Sequence, residues 1–309
     1  MKGRSFPFLQ YPGSRKNRVY LYAAVIFGVG YFILLRFLYP IPSYYSDSFT
    51  WVGGAVTGQP VTFRPIGYSK LLIFFHFFSV SDVALIAAQY FCNLFANLFL
   101  FLTCTRFFRL NRLTTFVLFA LLIVNPLYLF QSNYVSSDAF FNCFTVLWFT
   151  LLIWILHKPH WIFIIMQMVV LFGLFSLRYN AIFFPVIAAL ALCISRASLV
   201  KKIAGSAATF LLVIAIMIIT TYVTKRFTGT RTFSAFSGWQ MANNALHIVH
   251  NQKVNTAEIR DKEVKRLLEF TAHFFDTSKV AFKDTSANAF YMWDFNSPLK
   301  KYMNIVPYK

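Results

Sequence analysis

Three carboxylates stand out in the first 224 residues because that stretch contains no other acid. They are Asp47, Asp82 and Asp138. An acid close to a membrane span is costly, at least about 2.5–3.5 kcal/mol at a helix centre, so each of them requires an explanation. A carboxylate that meets a guanidinium group is suited to acid–base work beside an anionic ligand.

Each acid also has a purely structural interpretation. Asp47 can cap a short helix that begins near Phe49, and Asp138 can cap the span that it opens. Asp82 directly follows Ser81 and precedes a helical run, so helix capping is the favoured interpretation for this residue. For Asp47 and Asp138, the sequence leaves capping and chemistry open.

The composition identifies the environment of these acids. Apolar residues make up 58% of the 309 residues and charged residues only 13%, whereas soluble domains contain about 45–50% and about 25%. This excludes a soluble globular enzyme, a disordered tail and a disulfide scaffold, and predicts an all-α polytopic membrane protein. The net charge of +19 fits basic loops near anionic headgroups rather than nucleic acid, because the basic residues lie between apolar runs.

Seven apolar runs are predicted to cross the membrane, since a spanning helix needs about 20 apolar residues. They are 19–38, 82–104, 114–130, 138–156, 161–177, 180–195 and 203–224. The sixth is short and contains Pro185. The run 71–80 is too short to cross and predicts a buried or interfacial helix. The basic N-terminus followed by a long apolar run predicts an uncleaved signal anchor.

The distribution of Lys and Arg predicts the orientation. With the N-terminus in the cytoplasm, the inner segments contain 12 basic residues and the outer segments before residue 225 contain three. The positive-inside rule therefore predicts a multi-pass protein of an inner bacterial membrane with a cytoplasmic N-terminus. The three acids then share the outer face with Arg64, Lys70 and Arg178.

Two regions are predicted. Residues 1–224 form a transmembrane helical domain whose first outer loop, 39–81, contains juxtamembrane helices. Residues 225–309 form a partly helical extracytoplasmic tail, in which 256–275 has the apolar spacing of an amphipathic helix that lies on the membrane or on the bundle.

The first outer loop contains a short string that can position a cation. Arg64 is followed by Pro65 and Gly67, which stiffen and bend the chain. A guanidinium held on such a turn is well placed to bind phosphate oxygens with its planar fork of donors.

The order of these motifs resembles the GT-C class of membrane glycosyltransferases, and more narrowly the protein mannosyltransferase and aminoarabinose transferase-like group. The similar features are an acid in the first outer loop (Asp47), the string RPIGY at 64–68, an acid at the start of a later span (Asp138), and an Arg at the entry of a following span (Arg178). They cover roughly residues 15–225.

The resemblance implies an enzyme that moves a sugar from a polyprenyl-phosphate donor to a lipid, glycan or protein acceptor on the outer face. Asp47 would deprotonate or orient the acceptor hydroxyl, and Asp138 would orient the acceptor, the sugar or Arg64. Arg64 and Arg178 would hold the lipid phosphate. Tyr68 and Lys70, in or next to the RPIGY string, would also contact the substrate. Metal use varies in the group, so a divalent metal stays open, although no Asp/His cluster requires one.

Two rival interpretations remain. A carrier or flippase for a lipid-linked anion would also use arginines, but such proteins place their polar site near the midplane on broken helices. A non-catalytic scaffold would use its acids only as caps. The remaining polar residues predict little chemistry. His76 is predicted to be a packed residue, and the four cysteines are predicted to be free thiols. His157 and His160, on the cytoplasmic face, resemble a metal site only weakly.

Overall fold

The computed structural model describes residues 15–59, 64–229, 231–234, 241 and 258–277. This part of the chain is helical and contains no strand. The helices are α1 Arg15–Leu38, α2 Ser46–Thr57, α3 Gly67–Phe78, α4 Asp82–Phe107, α5 Arg112–Ile123, α6 Pro126–Ser132, α7 Ser137–His157, α8 Trp161–Leu177, the 3₁₀ helix η1 Tyr179–Phe183, α9 Phe184–Ile194, α10 Leu199–Thr228 and α11 Lys262–Thr277.

Five helical segments in the described residues are long and apolar enough to cross a membrane: α1, α4, the α5–α6 pair, α7 and α10. The shorter apolar helices α8 and η1–α9 occupy the other two predicted runs. The all-α membrane class predicted from composition is therefore confirmed. The predicted number of seven crossings stays a prediction.

The third predicted run differs from the structure, because it is broken into two helices. α5 ends at Ile123, and α6 begins at Pro126. Proline has no N–H to donate and clashes with the preceding turn of a helix, so it favours a break. Asn125 caps the new helix, with its side-chain oxygen accepting a hydrogen bond from the Leu127 N–H at 3.0 Å.

The chain divides into two compact units. The first contains residues 1–61 and 65–216, and the second contains 62–64 and 217–309. In the second, α11 begins after Asp261, whose carboxylate accepts hydrogen bonds from the N–H groups of Glu263 and Val264 at 2.8 and 3.2 Å. The helix predicted over 256–275 is thus found at Lys262–Thr277, and its contact with a membrane stays a prediction.

The first unit is held together by polar side chains buried between α4 and α7. Gln89, Asn93 and Asn97 are spaced four residues apart on α4 and are almost completely buried. Asn93 donates to the Ala139 carbonyl at 2.8 Å and accepts from Asn142 at 2.8 Å. Interhelical hydrogen bonds of this type contribute about 0.6 kcal/mol each in a bilayer, so they fix the register of the two helices.

The short helices α2 and α3 pack against this pair. Trp51 and Tyr68 meet edge-on with ring centroids 5.8 Å apart, and the Ser69 hydroxyl donates to the Trp51 carbonyl at 2.9 Å. Phe77 and Phe78 on α3 are exposed. The helix predicted over 71–80 is therefore confirmed as part of α3, with one side buried and apolar side chains on the other.

The end of the first unit at which α4 and α7 terminate is basic. The Lys201 ammonium donates to the Pro159 carbonyl at 2.9 Å, and the Lys202 ammonium donates to the Cys193 carbonyl at 2.7 Å. Arg106 lies over the ring of Trp154 at 5.4 Å. Cations that bind carbonyls at helix C-termini are favoured by the helix dipole, and this end is the one that the positive-inside rule predicts to be cytoplasmic.

Candidate functional site

A short backbone pairing positions the site. The Ser43 N–H donates to the Asn133 carbonyl at 2.9 Å, and the Val135 N–H donates to the Ser43 carbonyl at 3.1 Å. Gln89 supports the same segment by donating to the Ser132 and Tyr134 carbonyls at 2.8 and 2.9 Å. The chain that follows α1 is thereby fixed beside the chain that precedes α7.

The pairing brings Tyr45 to the first turn of α7. Its hydroxyl donates to Asp138 Oδ2 at 3.3 Å, and the Ser136 hydroxyl donates to the same oxygen at 3.0 Å. The other carboxylate oxygen of Asp138 lies 2.6 Å from Nη1 of Arg178. A phenol, a carboxylate and a guanidinium thus form one connected group at the end of the bundle that carries the acids.

The structure agrees with one part of the capping interpretation of Asp138: the residue lies in the first turn of α7, where its charge favours the helix dipole, but it is not the N-cap residue. Ser136 is the N-cap residue of α7, because its hydroxyl oxygen accepts a hydrogen bond from the Asp138 N–H at 3.1 Å. The Asp138 carboxylate is directed to Arg178 and Tyr45 instead. The pair is partly exposed, with 26% of the Asp138 side chain and 38% of the Arg178 side chain accessible, so a ligand can reach it.

Asp47 lies in the first turn of α2, close to the same group. The helix begins at Ser46 rather than near Phe49, with Tyr45 in the N-cap position. Burial, together with the negative charges of Asp138 and Asp47, raises the pKa of Tyr45. Asp47 and Asp138 thus both act electrostatically on the Tyr45 phenol.

Asp82 has a partner that the capping interpretation did not anticipate. The Tyr44 hydroxyl donates to Asp82 Oδ2 at 2.6 Å, while Ser81 occupies the N-cap position of α4. Two consecutive tyrosines therefore bind first-turn acids of two different helices. Tyr44 binds Asp82 of α4, and Tyr45 binds Asp138 of α7.

Tyr44 should titrate at unusually high pH. Burial and the hydrogen bond to Asp82 raise its pKa to about 12, from about 10 for a free tyrosine. The neutral phenol is thus favoured in the fold, and the stability that it contributes is present below about pH 10 and is lost as the pH rises through about 12.

The measurement is an alkaline titration of tyrosinate absorbance, with the curve of Tyr44→Phe subtracted from that of the wild type. We expect the difference curve to show one phenol with a midpoint near 12, shifted downward in Asp82→Asn. A midpoint near the ordinary value of about 10 would show that the Tyr44–Asp82 contact does not form.

The structure places the other predicted site residues as follows. Tyr68 is fully buried, and its hydroxyl donates to Gln89 at 2.8 Å, so it anchors α3 on α4. Lys70 is exposed on α3. Arg64 is half-buried and belongs to the second unit. The convergence of Asp47 with Arg64, and the substrate contacts of Arg64, Tyr68 and Lys70, stay predictions.

Two cavities accompany the acids. A cleft of about 290 Å³ is lined by Tyr45, Gln131, Tyr134, Ser136 and Asp138. A groove of about 370 Å³ is lined mainly by apolar side chains and includes Tyr44 and Asp82. Each tyrosine–acid pair therefore borders its own cavity.

Sequence reasoning missed Tyr44, Tyr45 and the Arg36–Asn133 contact, in which Nη2 of Arg36 donates to Oδ1 of Asn133. The two tyrosines immediately precede the Ser-Asp that begins α2, and this position is the feature that could have drawn attention to them. Arg36 ends an apolar run, where an isolated cation is easily taken for an interfacial anchor.

The histidines have structural surroundings. His157 stacks on Phe107 with ring centroids 4.4 Å apart, and His160 accepts a hydrogen bond from the Ile162 N–H at 3.4 Å as the N-cap of α8. The described residues contain no group of three or more His, Cys, Asp or Glu side chains that could hold a metal ion. The prediction that His76 is packed was wrong, because it is exposed along the groove.

No family model, curated protein or solved structure matches this chain.

Proposed function

We propose that the protein is a membrane glycosyltransferase that moves a sugar from a polyprenyl-phosphate donor to an acceptor hydroxyl on the outer face of the membrane. The observation that carries the proposal is the connected group of Tyr45, Asp138 and Arg178, in which Tyr45 and Asp138 line a cleft. Asp47 lies in the first turn of α2, directly after Tyr45 and Ser46. The end of the bundle that carries this group lies opposite the basic one, which supports an outward-facing site.

The arrangement supplies the two functions that glycosyl transfer needs. The acceptor hydroxyl must lose its proton as its oxygen forms a bond to the anomeric carbon, and Asp47 is the proposed base. The bond from that carbon to the phosphate oxygen breaks, and the lipid phosphate leaves with its electron pair. Arg178 is joined to the cleft through its ion pair with Asp138, and guanidinium groups bind phosphate oxygens with charge-assisted hydrogen bonds.

Arg64 would complete the phosphate site if the first outer loop brings it to the cleft, as the RPIGY resemblance implies. Asp138 would hold the Arg178 guanidinium in place by its ion pair, so that the guanidinium does not pair with other groups. Burial and the neighbouring carboxylates raise the pKa of the Tyr45 phenol, which therefore stays protonated at neutral pH. With its O–H donated to Asp138, its oxygen can accept a hydrogen bond from a sugar hydroxyl.

The proposal is tested with purified full-length protein in liposomes that contain a radiolabelled polyprenyl-phosphate sugar. We expect label to move from the polyprenyl phosphate to an acceptor supplied as membrane lipid extract, with release of unlabelled polyprenyl phosphate. Movement of intact donor across the bilayer without bond cleavage would instead identify a carrier. If a panel of hexosyl and pentosyl donors gives no transfer and no movement of donor across the bilayer, the scaffold interpretation is the one that remains.

A further inference from the structure

A groove between α2 and α3 is separate from the cleft at Asp138. Its volume of about 370 Å³ falls in the range of small-molecule sites. Its walls are apolar, with Val52 and Val56 from α2 and Leu72 from α3, and Leu85 from α4 contributes as well. Such a surface favours an aliphatic chain.

The surroundings of the groove are also apolar and open. Val56, Phe77 and Val80 have exposed fractions of 82%, 82% and 81%. Apolar side chains in such number at the edge of a groove mark a surface that contacts a membrane or a hydrophobic ligand rather than water. A lipid can therefore enter the groove directly from the bilayer.

The polar part of the lining consists of His76 on α3, the turn between α3 and α4, and Tyr44, whose hydroxyl bonds to Asp82 at the start of α4. Ser79 and Ser81 lie on this turn, and Asp82 follows them. Because the Tyr44 hydroxyl occupies Asp82 Oδ2, the second oxygen of the carboxylate accepts no hydrogen bond from the described residues. This oxygen is available to a ligand that donates one.

The charge of the lining selects the head group. Asp82 and His76 are its ionisable side chains besides Tyr44, and no Lys or Arg lines the groove. A phosphate head group would place negative charge beside Asp82 with no Lys or Arg in the lining to balance it. An uncharged hydroxyl can instead donate to the carboxylate.

We propose that this groove binds a lipid whose head group is an uncharged alcohol, with its chain between α2 and α3 and its hydroxyl donating to Asp82. Binding of this lipid is a property of the groove alone and does not depend on the proposed function.

The test uses the full-length protein in phosphatidylcholine nanodiscs and two photoreactive probes. One is a long-chain alcohol with a diazirine in its chain, and the other is its phosphate monoester. We expect the alcohol to label peptides of α2 and α3 about tenfold more than the phosphate, because a hydrogen bond to a charged group differs from a repulsive contact by at least that factor.

Three variants make the result specific. Val56→Trp fills the groove and is expected to lower alcohol labelling several-fold, whereas Phe78→Trp, on an exposed α3 residue outside the lining, is expected to leave it unchanged. Asp82→Asn is expected to remove most of the preference for the alcohol over the phosphate while preserving labelling of the groove.

Equal labelling by both probes in the wild type, or labelling that Val56→Trp does not change, would overturn the inference. Crosslinks between two copies of the chain through α2 and α3 would also overturn it, because a second copy would then occupy the groove. The labelling experiment does not measure sugar transfer, so its result is independent of the liposome assay. Alcohol labelling together with no transfer in liposomes would contradict only the proposed function. Transfer in liposomes together with no alcohol labelling would contradict only the groove assignment.

Discussion

Replacing Asp138 with Asn is expected to lower sugar transfer about thirtyfold, because breaking one side of a charge pair costs at least about 2 kcal/mol. The carboxylate holds Nη1 of Arg178 at 2.6 Å and accepts the Tyr45 hydroxyl. In the variant, Arg178 loses its charged partner and the guanidinium is no longer fixed at the cleft. The measurement is the initial rate of transfer in liposomes at a saturating donor concentration.

A double-mutant cycle separates positioning from a general loss of fold. If Asp138 acts through Arg178, then Arg178→Gln lowers transfer by a similar factor, and the double variant Asp138→Asn/Arg178→Gln is no slower than either single variant. Losses that multiply in the double variant would contradict a shared role. Wild-type transfer in Asp138→Asn would remove this pair from the mechanism.

Replacing Gly67 with Ala is expected to destabilise the protein, and to do so more than the same change at Gly53 on α2. A Cβ atom at this position would lie 2.2 Å from the Ser176 carbonyl oxygen and 2.6 Å from its carbon. Backbone atoms of α8 cannot move aside as a flexible side chain does, so α3 must shift. Overpacking of this kind costs about 1–3 kcal/mol.

The matched control is Gly53→Ala on α2, where an added Cβ meets no atom within 4 Å. Because alanine favours the helix, this variant should be neutral or more stable by about 0.4–1 kcal/mol. The measurement is the unfolding temperature of each variant in the same detergent. Equal unfolding temperatures would show that α3 does not approach α8 as closely as the structure indicates.

Apolar run length was enough to predict the helical class and most helix positions, because burial in a bilayer constrains every residue of a span. The run 161–177 coincides with α8. The break before Pro126 was missed because a long apolar window outweighs one proline, even though its local effect on the helix is decisive.

The site was predictable only in part. Counting basic residues placed the acids at one end, and that end does bring Asp138 and Arg178 together. The tyrosine partners of Asp82 and Asp138 were not predictable, because they depend on the pairing of Ser43 with Tyr134, two residues separated by the five helices α2 to α6. Contacts of this kind follow from packing and leave no spacing pattern in the sequence.

The buried amides illustrate the same limit. Gln89, Asn93 and Asn97 lie at helical spacing in the sequence, yet an apolar window treats them as minor interruptions of a span. The hydrogen bonds of Gln89 and Asn93 hold α4 to α7 and to the chain before it, whereas Asn97 donates to the Asn93 carbonyl of its own helix. This role of Gln89 and Asn93 follows from their hydrogen-bond partners on α7 and on the chain before it, and not from their spacing in the sequence.

The most direct measurement of the central claim compares transfer by Asp47→Asn with transfer by Asp261→Asn. Both changes remove one carboxylate in the first turn or at the cap of a helix, but only Asp47 belongs to the proposed site. We predict that Asp47→Asn, folded as judged by its unfolding temperature, loses transfer of labelled sugar by about a hundredfold or more, whereas Asp261→Asn retains it. Wild-type transfer by folded Asp47→Asn would contradict the account.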